Sequence, residues 1–315
     1  MKKGKKGLFQ SILLVLLGLL VLLSMVPFQP REPETLEISV LFLQRDSGLW
    51  DNIRLGMEQA AADQGAELRF LSVSYDGEET DGAQLLLREA ADGTDAVIIA
   101  PAIEQELEPI LEEASANCPI LTFSQGMDHT LLDFSPGGEE VSRMLINMAL
   151  EDGREGTFLL LSESGTGLDD QRVIFAESYL RQQGIEPVRL SVRQNESRRL
   201  ARTLETMDPD CVICPEAGLT YALCQHWMKE QESAPDYRFY GMGVTEPAAR
   251  CLESGVIRGL VGCSDYASGY LICESAALAA RGKEIEWEGE LPLYAIGKEE
   301  LDERSYQKLF FPVLP

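Results

Sequence analysis

Apolar and polar positions alternate along this chain with two different periods. Residues 36–43 (LEISVLFL), 68–75, 96–100 (AVIIA) and 120–123 form short, largely apolar runs. Between them, residues 49–64, 81–91 and 103–116 are longer stretches with apolar positions spaced as on one face of a helix. Gly65 ends the first of these stretches and Gly93 lies just beyond the second. Apolar strands separated by helices of about ten or more residues predict βαβ units around a buried parallel sheet. The rhythm restarts after a connecting strand predicted at 131–135. Helices are then expected at 141–150, 169–183, 197–207, 219–230 and 246–254. They separate strands expected at 157–161, 188–192, 211–214, 237–240 and 260–263.

The two halves echo each other. Residues 94–101 (TDAVIIAP) and 209–215 (PDCVICP) each follow a predicted helix and turn. A matched unit within a matched rhythm predicts two similar α/β lobes. Ligands of open α/β sheets sit outside the carboxyl ends of the strands. In a two-lobed chain those ends face each other across a cleft. The loops nominated on this ground are 44–50, 124–127, 162–172, 215–219, 242–245 and 263–266.

The N-terminus departs from this pattern. Residues 8–28 are apolar apart from Gln10 and Ser11. As a helix rising ~1.5 Å per residue, such a run reaches about 31 Å, enough to cross a bilayer core. Lys2, Lys3, Lys5 and Lys6 precede it, which places the N-terminus inside and the rest of the chain outside. The run ends Ser24-Met25-Val26-Pro27-Phe28, without small residues at a cleavage site and without a cysteine to carry a lipid. An uncleaved single-pass anchor is therefore expected in preference to a signal peptide. Residues 27–35, with three prolines, then form a short extended tether.

Composition narrows the function classes. The 315 residues, 45% of them hydrophobic, have room for two lobes with buried cores. The formal charge is −25 despite the four N-terminal lysines. Such a surface repels phosphate backbones, so no nucleic-acid partner is expected. Seven cysteines, an odd number without regular spacing, do not form a disulfide framework. Cys211 and Cys214 have CxxC spacing but lie in a predicted strand, where residues three apart point to opposite faces. Buried packing is expected of them rather than metal or redox chemistry.

Chemistry-bearing motifs are scarce. Two histidines, His129 and His226, have no partner at ligand spacing, and there is no HExxH, GxSxG or GxxxxGK[ST]. Gly165-Thr166-Gly167 stands where a dinucleotide fingerprint would begin, but Asp170 occupies the third glycine position. This segment is read as a turn, with Asp169 or Asp170 as the N-cap of the next helix. No metal, cofactor or catalytic group is expected.

Several segments in order, ISVLFL, LWDNIRLGMEQAAADQGAEL, DGTDAVIIAPA, CPILTFSQ, DDQRVIFAESYL, PDCVICPEAG and DYASGYLICESAALAARGKEI, resemble type I periplasmic sugar-binding proteins. These are the ribose-binding group, which shares its fold with the effector domains of LacI-type repressors. The resemblance covers residues 36–312 and implies two Rossmann-like lobes with parallel sheets, joined by three crossings near Ser135, Ser264 and Leu293. Lobe 1 is then 36–135 plus 264–293, and lobe 2 is 136–263 plus 294–315, with 1–31 as the anchor.

The resemblance also implies a site. The aromatic face at the start of the first helix falls on Trp50, after Asp46-Ser47-Gly48-Leu49. The family's Asp-Arg pair falls on Ser124-Gln125, its second-lobe arginine on Arg172, and its second-lobe asparagine on Glu216. Its later aspartate and glutamine fall on Gly243 and Cys263. The expected ligand-binding residues are Trp50, Gln125, Arg172 and Glu216, with Asp46, Ser124 and Asp265 beside them. Losing the Asp-Arg pair removes the strongest paired donors and acceptors for a sugar. Three acids, Asp46, Glu216 and Asp265, would instead favour a polyol or a cationic group.

The expected function is extracytoplasmic capture of a small polar, sugar-like ligand for an ABC permease, at the cell membrane. The alternative is a ligand-sensing ectodomain partnering a membrane sensor histidine kinase. A repressor would need an N-terminal helix-turn-helix where this chain has an apolar span, and an enzyme would need a cofactor fingerprint or nucleophile.

Overall fold

The computed structural model describes residues 35–43, 50–73, 81–100, 107–123, 130, 138–163, 167–192, 196–230, 235–285 and 291–311. The apolar run 8–28 and the expected strand at 131–135 lie outside them. Among the described residues no helix is long and apolar enough to cross a membrane.

The first sheet is built from β1 (Leu36–Leu43), α1 (Asp51–Gln64), β2 (Ala66–Val73), α2 (Asp81–Ala91), β3 (Ala96–Ile99), α3 (Leu111–Ser115) and β4 (Ile120–Thr122). Its strands are all parallel, in the order β2-β1-β3-β4. The continuous helix expected at 103–116 is interrupted in its described part. A 3-10 turn over Glu108–Ile110 precedes α3, with Pro109 at its start, where the missing N–H is tolerated.

The second sheet follows from α4 (Gly138–Asp152), β5 (Phe158–Glu163), α5 (Gly167–Gln182), β6 (Val188–Val192), α6 (Ser197–Met207), β7 (Cys211–Cys214), α7 (Ala217–Glu230), β8 (Arg238–Met242), α8 (Glu246–Ser254) and β9 (Gly259–Gly262). Helix α9 (Asp265–Ala280), strand β10 (Tyr294–Ile296), α10 (Lys298–Asp302) and α11 (Arg304–Phe310) complete the chain. The strand order is β10-β9-β8-β7-β5-β6, parallel except that β10 pairs antiparallel with β9. Helix α5 begins at Gly167, so Asp169 and Asp170 lie inside its first turn and neither is the N-cap expected from the sequence. A turn-forming glycine here enters the helix earlier than the acidic pair signalled.

The central strands of both sheets are buried on both faces, as expected of parallel strands covered by helices, whereas the edge strands β2 and β6 are partly exposed. In the first, Ile38, Val40, Ile98 and Leu121 face α1 and α9 through Met57, Ala60, Ile272 and Ala276. Leu41, Val97, Ile99 and Ile120 face Leu86, Leu107 and Leu111 on the other side. In the second, Leu159, Leu161, Val212, Cys214 and Phe239 meet Leu223, Trp227 and Leu252. Phe158, Leu160, Cys211, Ile213 and Tyr240 meet Val141, Leu145 and Leu180. Cys211 and Cys214 thus enter different clusters, and their sulfurs diverge.

Helix α9 belongs to the second half of the sequence by number but packs on the first sheet. Its strongest contact is with α1, and glycines set the distance. A Cβ on Gly269 would lie 1.9 Å from the carbonyl oxygen of Ile53, and one on Gly56 would lie 2.0 Å from that of Tyr266. The two backbones touch, and only glycine fits at both points. Further along, Gln64 donates to Glu274 at 3.3 Å and Tyr270 donates to Asp63 at 3.0 Å. The helices therefore run side by side in the same direction.

Candidate functional site

The starts of α1 and α9 come together at the chain's C-terminal helix. The Asn52 amide donates to the Phe310 carbonyl at 2.9 Å, and the Ser264 hydroxyl donates to the Leu309 carbonyl at 3.0 Å. Phe310 itself is buried in the core of the second sheet. Two neighbouring carbonyls rooted in the second lobe therefore hold the leading ends of two helices that pack on the first. Trp50 lies two residues before Asn52, and Asp265 follows Ser264. Trp50 and Asp265 are thus brought to one region from opposite ends of the sequence.

Trp50 immediately precedes α1. Its ring meets Phe123 edge-on, with centroids 5.4 Å apart, and it is half-buried against the first core. Phe123 follows β4, so this aromatic pair sits at the carboxyl edge of the first sheet, where an open α/β sheet receives ligands.

Asp265 is the first residue of α9. Ser264 caps the helix by accepting from the Ala267 N–H at 3.2 Å. Burial pushes the Asp265 carboxyl up to about 7. Near neutral pH it is therefore divided between a form that only accepts hydrogen bonds and a form that also donates one. Cys263, just before it, is pushed up to about 12, first by burial and then by the charge of Asp265. Arg172 acts on the same thiol in the opposite direction. Cys263 accordingly lies within electrostatic reach of both charged groups.

Arg172 projects from the second turn of α5 and is half-buried. Its guanidinium contacts the Met242 sulfur at 3.4 Å, at the carboxyl end of β8. Its aliphatic stem is so close to Gly138 that a Cβ there would lie 2.8 Å from Arg172 Cγ. The hydroxyl of Ser142 donates to the Arg172 carbonyl at 3.0 Å. These contacts from α4 fix the arginine's root and leave its planar fork at the strand ends.

Glu216 stands between β7 and α7 and is buried. Its carbonyl accepts from the Thr220 N–H at 3.0 Å and the Thr220 hydroxyl at 2.9 Å. The Cys214 thiol donates to the same carbonyl at 3.5 Å. Next to it, Ala217 lies against Gly243, where φ is +93° and an added Cβ would fall 3.2 Å from Ala217 Cβ. The loop after β8, carrying Met242 and Gly243, thereby connects the surroundings of Glu216 with those of Arg172.

Trp50, Arg172, Glu216 and Asp265 all lie at strand ends or helix starts on the carboxyl side of the sheets. Asp46, Ser124 and Gln125 lie outside the described residues. Met242 opens the loop 242–245 nominated from the sequence, which assigns no role to its side chain. Asn52 is not singled out there: it contacts a carbonyl 258 residues away and carries no local signal. Among the described residues, no three His, Cys, Asp or Glu side chains are placed to hold a metal ion.

Solved structures share this architecture. GanP, a glucose-galactose binding protein from Geobacillus stearothermophilus, is 19% identical, with a TM-score of 0.71 over 86% of this chain and 100% of its own. An ABC transporter solute binding protein from Agrobacterium vitis with bound D-fucose is 14% identical, with a TM-score of 0.75 over 87% of this chain and 100% of its own. A chain of the XylFII–LytSN complex is 14% identical, with a TM-score of 0.69 over 85% of this chain and 100% of its own. At such identities the likeness concerns the fold. No curated protein sequence matches the chain. The sequence family described as the periplasmic binding protein domain matches residues 38–284, which take in the first sheet from Ile38 onward, the second sheet apart from β10, and the helix that rejoins the first. The chain belongs to the periplasmic binding protein family.

Proposed function

We propose that this chain is an extracytoplasmic solute-binding protein, without catalytic activity, that captures a small polar, sugar-like ligand between two lobes and delivers it to an ABC importer. Lobe 1 comprises 36–135 plus 264–293 and lobe 2 comprises 136–263 plus 294–315. Residues 8–28 anchor the chain as a single membrane-spanning helix. The observation that carries the reading is the gathering of Trp50 and Asp265 at the shared Leu309–Phe310 anchor point. Arg172 and Glu216 occupy the matching edge of the second sheet. Three kinds of group for a hydroxylated ligand are then present: an apolar ring face, a planar set of donors, and carboxyls. Asp46, Ser124 and Gln125 are assigned to the same site from their place in the sequence. The bound D-fucose of the Agrobacterium vitis protein supports a sugar-like ligand.

A thermal-shift screen of sugars, polyols, nucleosides and amines, followed by titration of any hit, tests the reading. Trp50→Ala and Arg172→Ala are each expected to weaken binding by ~2 kcal/mol, roughly thirtyfold. Folded variants that bind a confirmed ligand within about threefold of wild type remove these residues from the site. N-terminal sequencing of chain recovered from membranes checks the anchor, since a start beyond Val26 excludes it.

A second reading is favoured by the XylFII–LytSN complex, in which a chain of this fold is held by another protein. On that reading the ligand-bound ectodomain signals to a membrane sensor histidine kinase. Crosslinking in native membranes, with and without ligand, distinguishes the two: capture of a permease supports import, and capture of a kinase supports sensing.

A further inference from the structure

Two thiols meet in the core of the second lobe. Cys224 in α7 and Cys251 in α8 are 0% and 2% exposed and belong to one core cluster. The Cys251 thiol donates to the Cys224 carbonyl at 3.7 Å, and the two thiols are near enough to act on each other's ionisation. Helices α7 and α8 pack against each other. The other cysteines lie elsewhere or face other groups. Cys118, Cys211 and Cys273 fall in three different clusters, and Cys263 pairs with the Ser268 hydroxyl at 3.9 Å. Cys214 is close enough to act on Cys224 and contacts the Glu216 carbonyl.

We propose that Cys224 and Cys251 are a modifiable thiol pair, which a small external disulfide such as oxidised glutathione converts during folding into a cystine joining α7 and α8. Both sulfurs are covered once the core has closed, so the reaction belongs to the stage at which these helices are docking. At that stage the Cys251 thiol, ionised in solvent, attacks. It displaces one glutathione thiolate from the external disulfide and forms a mixed disulfide. The Cys224 thiolate then attacks the Cys251 sulfur and releases the second glutathione. Two protein thiols are oxidised, one external disulfide is reduced to two thiols, and the two thiol protons pass to the released glutathione. The cystine closes the chain between residues 224 and 251 into a loop and restricts the unfolded state. It also fixes α7, whose first turn follows directly on Glu216.

The test is cell-free synthesis of the full-length chain with detergent, in reduced glutathione alone or with excess oxidised glutathione, followed by thiol blocking. In the oxidised reaction the chain is expected to lose two titratable thiols. A non-reducing peptide map should join the peptide holding Cys224 to that holding Cys251, and Tm should rise by several degrees over the reduced chain. Cys251→Ser should abolish the link and the Tm difference, with Cys251→Ala as a second variant where the hydroxyl disturbs the core. A thiol count unchanged by oxidised glutathione overturns the proposal. So does a map joining Cys224 to Cys214 or to any other cysteine.

Discussion

In the first lobe, α1 and α9 meet backbone to backbone through Gly56 and Gly269, and small residues such as Ala60, Ala276 and Ala277 fill the seam. In the second lobe the helices stand off from the sheet on large side chains. Trp227 lies edge-on to Phe239 with centroids 5.2 Å apart, and Phe158 and Tyr240 fill the opposite face. The difference follows from chain connectivity. Helix α9 is joined by residues 263–264 to β9 of the second sheet and to no strand of the first, so its seat on the first sheet depends on a close fit. The α7 and α8 helices are tied to their own strands by short turns and tolerate bulkier packing.

This contrast makes opposite demands on substitution. The largest expected effect is in the second lobe: Trp227→Ala removes a 4%-exposed indole and its ring contact. It should cost ~3–5 kcal/mol in urea denaturation. A cost near 1 kcal/mol would mean that the core collapses onto the space and that large side chains are not what hold this lobe.

In the first lobe the sensitive change is an addition. Gly269→Ala gains ~1 kcal/mol of helix propensity. It also drives a methyl to 1.9 Å from a backbone oxygen that cannot move without displacing α1. Net destabilisation of about 2 kcal/mol is expected, read from the same denaturation curves. A neutral or stabilised Gly269→Ala would show that α9 slides freely on α1. The equivalent addition at Gly255, which ends α8 with φ +81° and no atom within 4 Å, should act only through backbone strain and cost less.

An effect of a different kind, read from pH dependence, concerns Asp265 at the start of α9. The folded-state pKa of Asp265 is raised from 3.8 to about 7 by burial, so between these values the folded chain holds more protons than the unfolded one. Its contribution to stability is therefore greatest at low pH and is lost as pH rises through about 7. Asp265→Asn, which mimics the neutral acid, should remove this component, while the chain's other carboxylates titrate alike in both proteins. Stability measured from pH 4.5 to 8 checks this. Parallel pH profiles for the two proteins would mean that solvent reaches the carboxyl.

Much of this organisation is legible in the sequence, because parallel strands buried on both faces write themselves as short apolar runs between amphipathic helices. Strand 211–214 and helices 81–91, 197–207 and 246–254 have the expected bounds, and Gly65 and Gly255 end their helices in the left-handed conformation. The opposed faces of Cys211 and Cys214 follow from strand periodicity alone. Residues 265–280 carry no comparable signal: the helix is apolar on nearly every side, so no amphipathic face tells which sheet it covers. The break at Pro109 and the start of α5 at Gly167 shifted two boundaries, because local turn geometry outweighed periodicity.

The sequence by itself determined the α/β class and the doubling of the lobes, since these depend on local periodicity and on its repeat along the chain. The return of the chain after Ser264 to the first lobe is implied by the family resemblance and not by periodicity; only the tertiary structure decided that Gly56 and Gly269 touch backbone across that return and that Trp50 and Asp265 converge beside the Leu309–Phe310 carbonyls. Apart from the Ser264–Leu309 bond, those facts depend on contacts between residues more than two hundred positions apart. Such pairs leave no periodic trace in the chain and come together only when both sheets have closed.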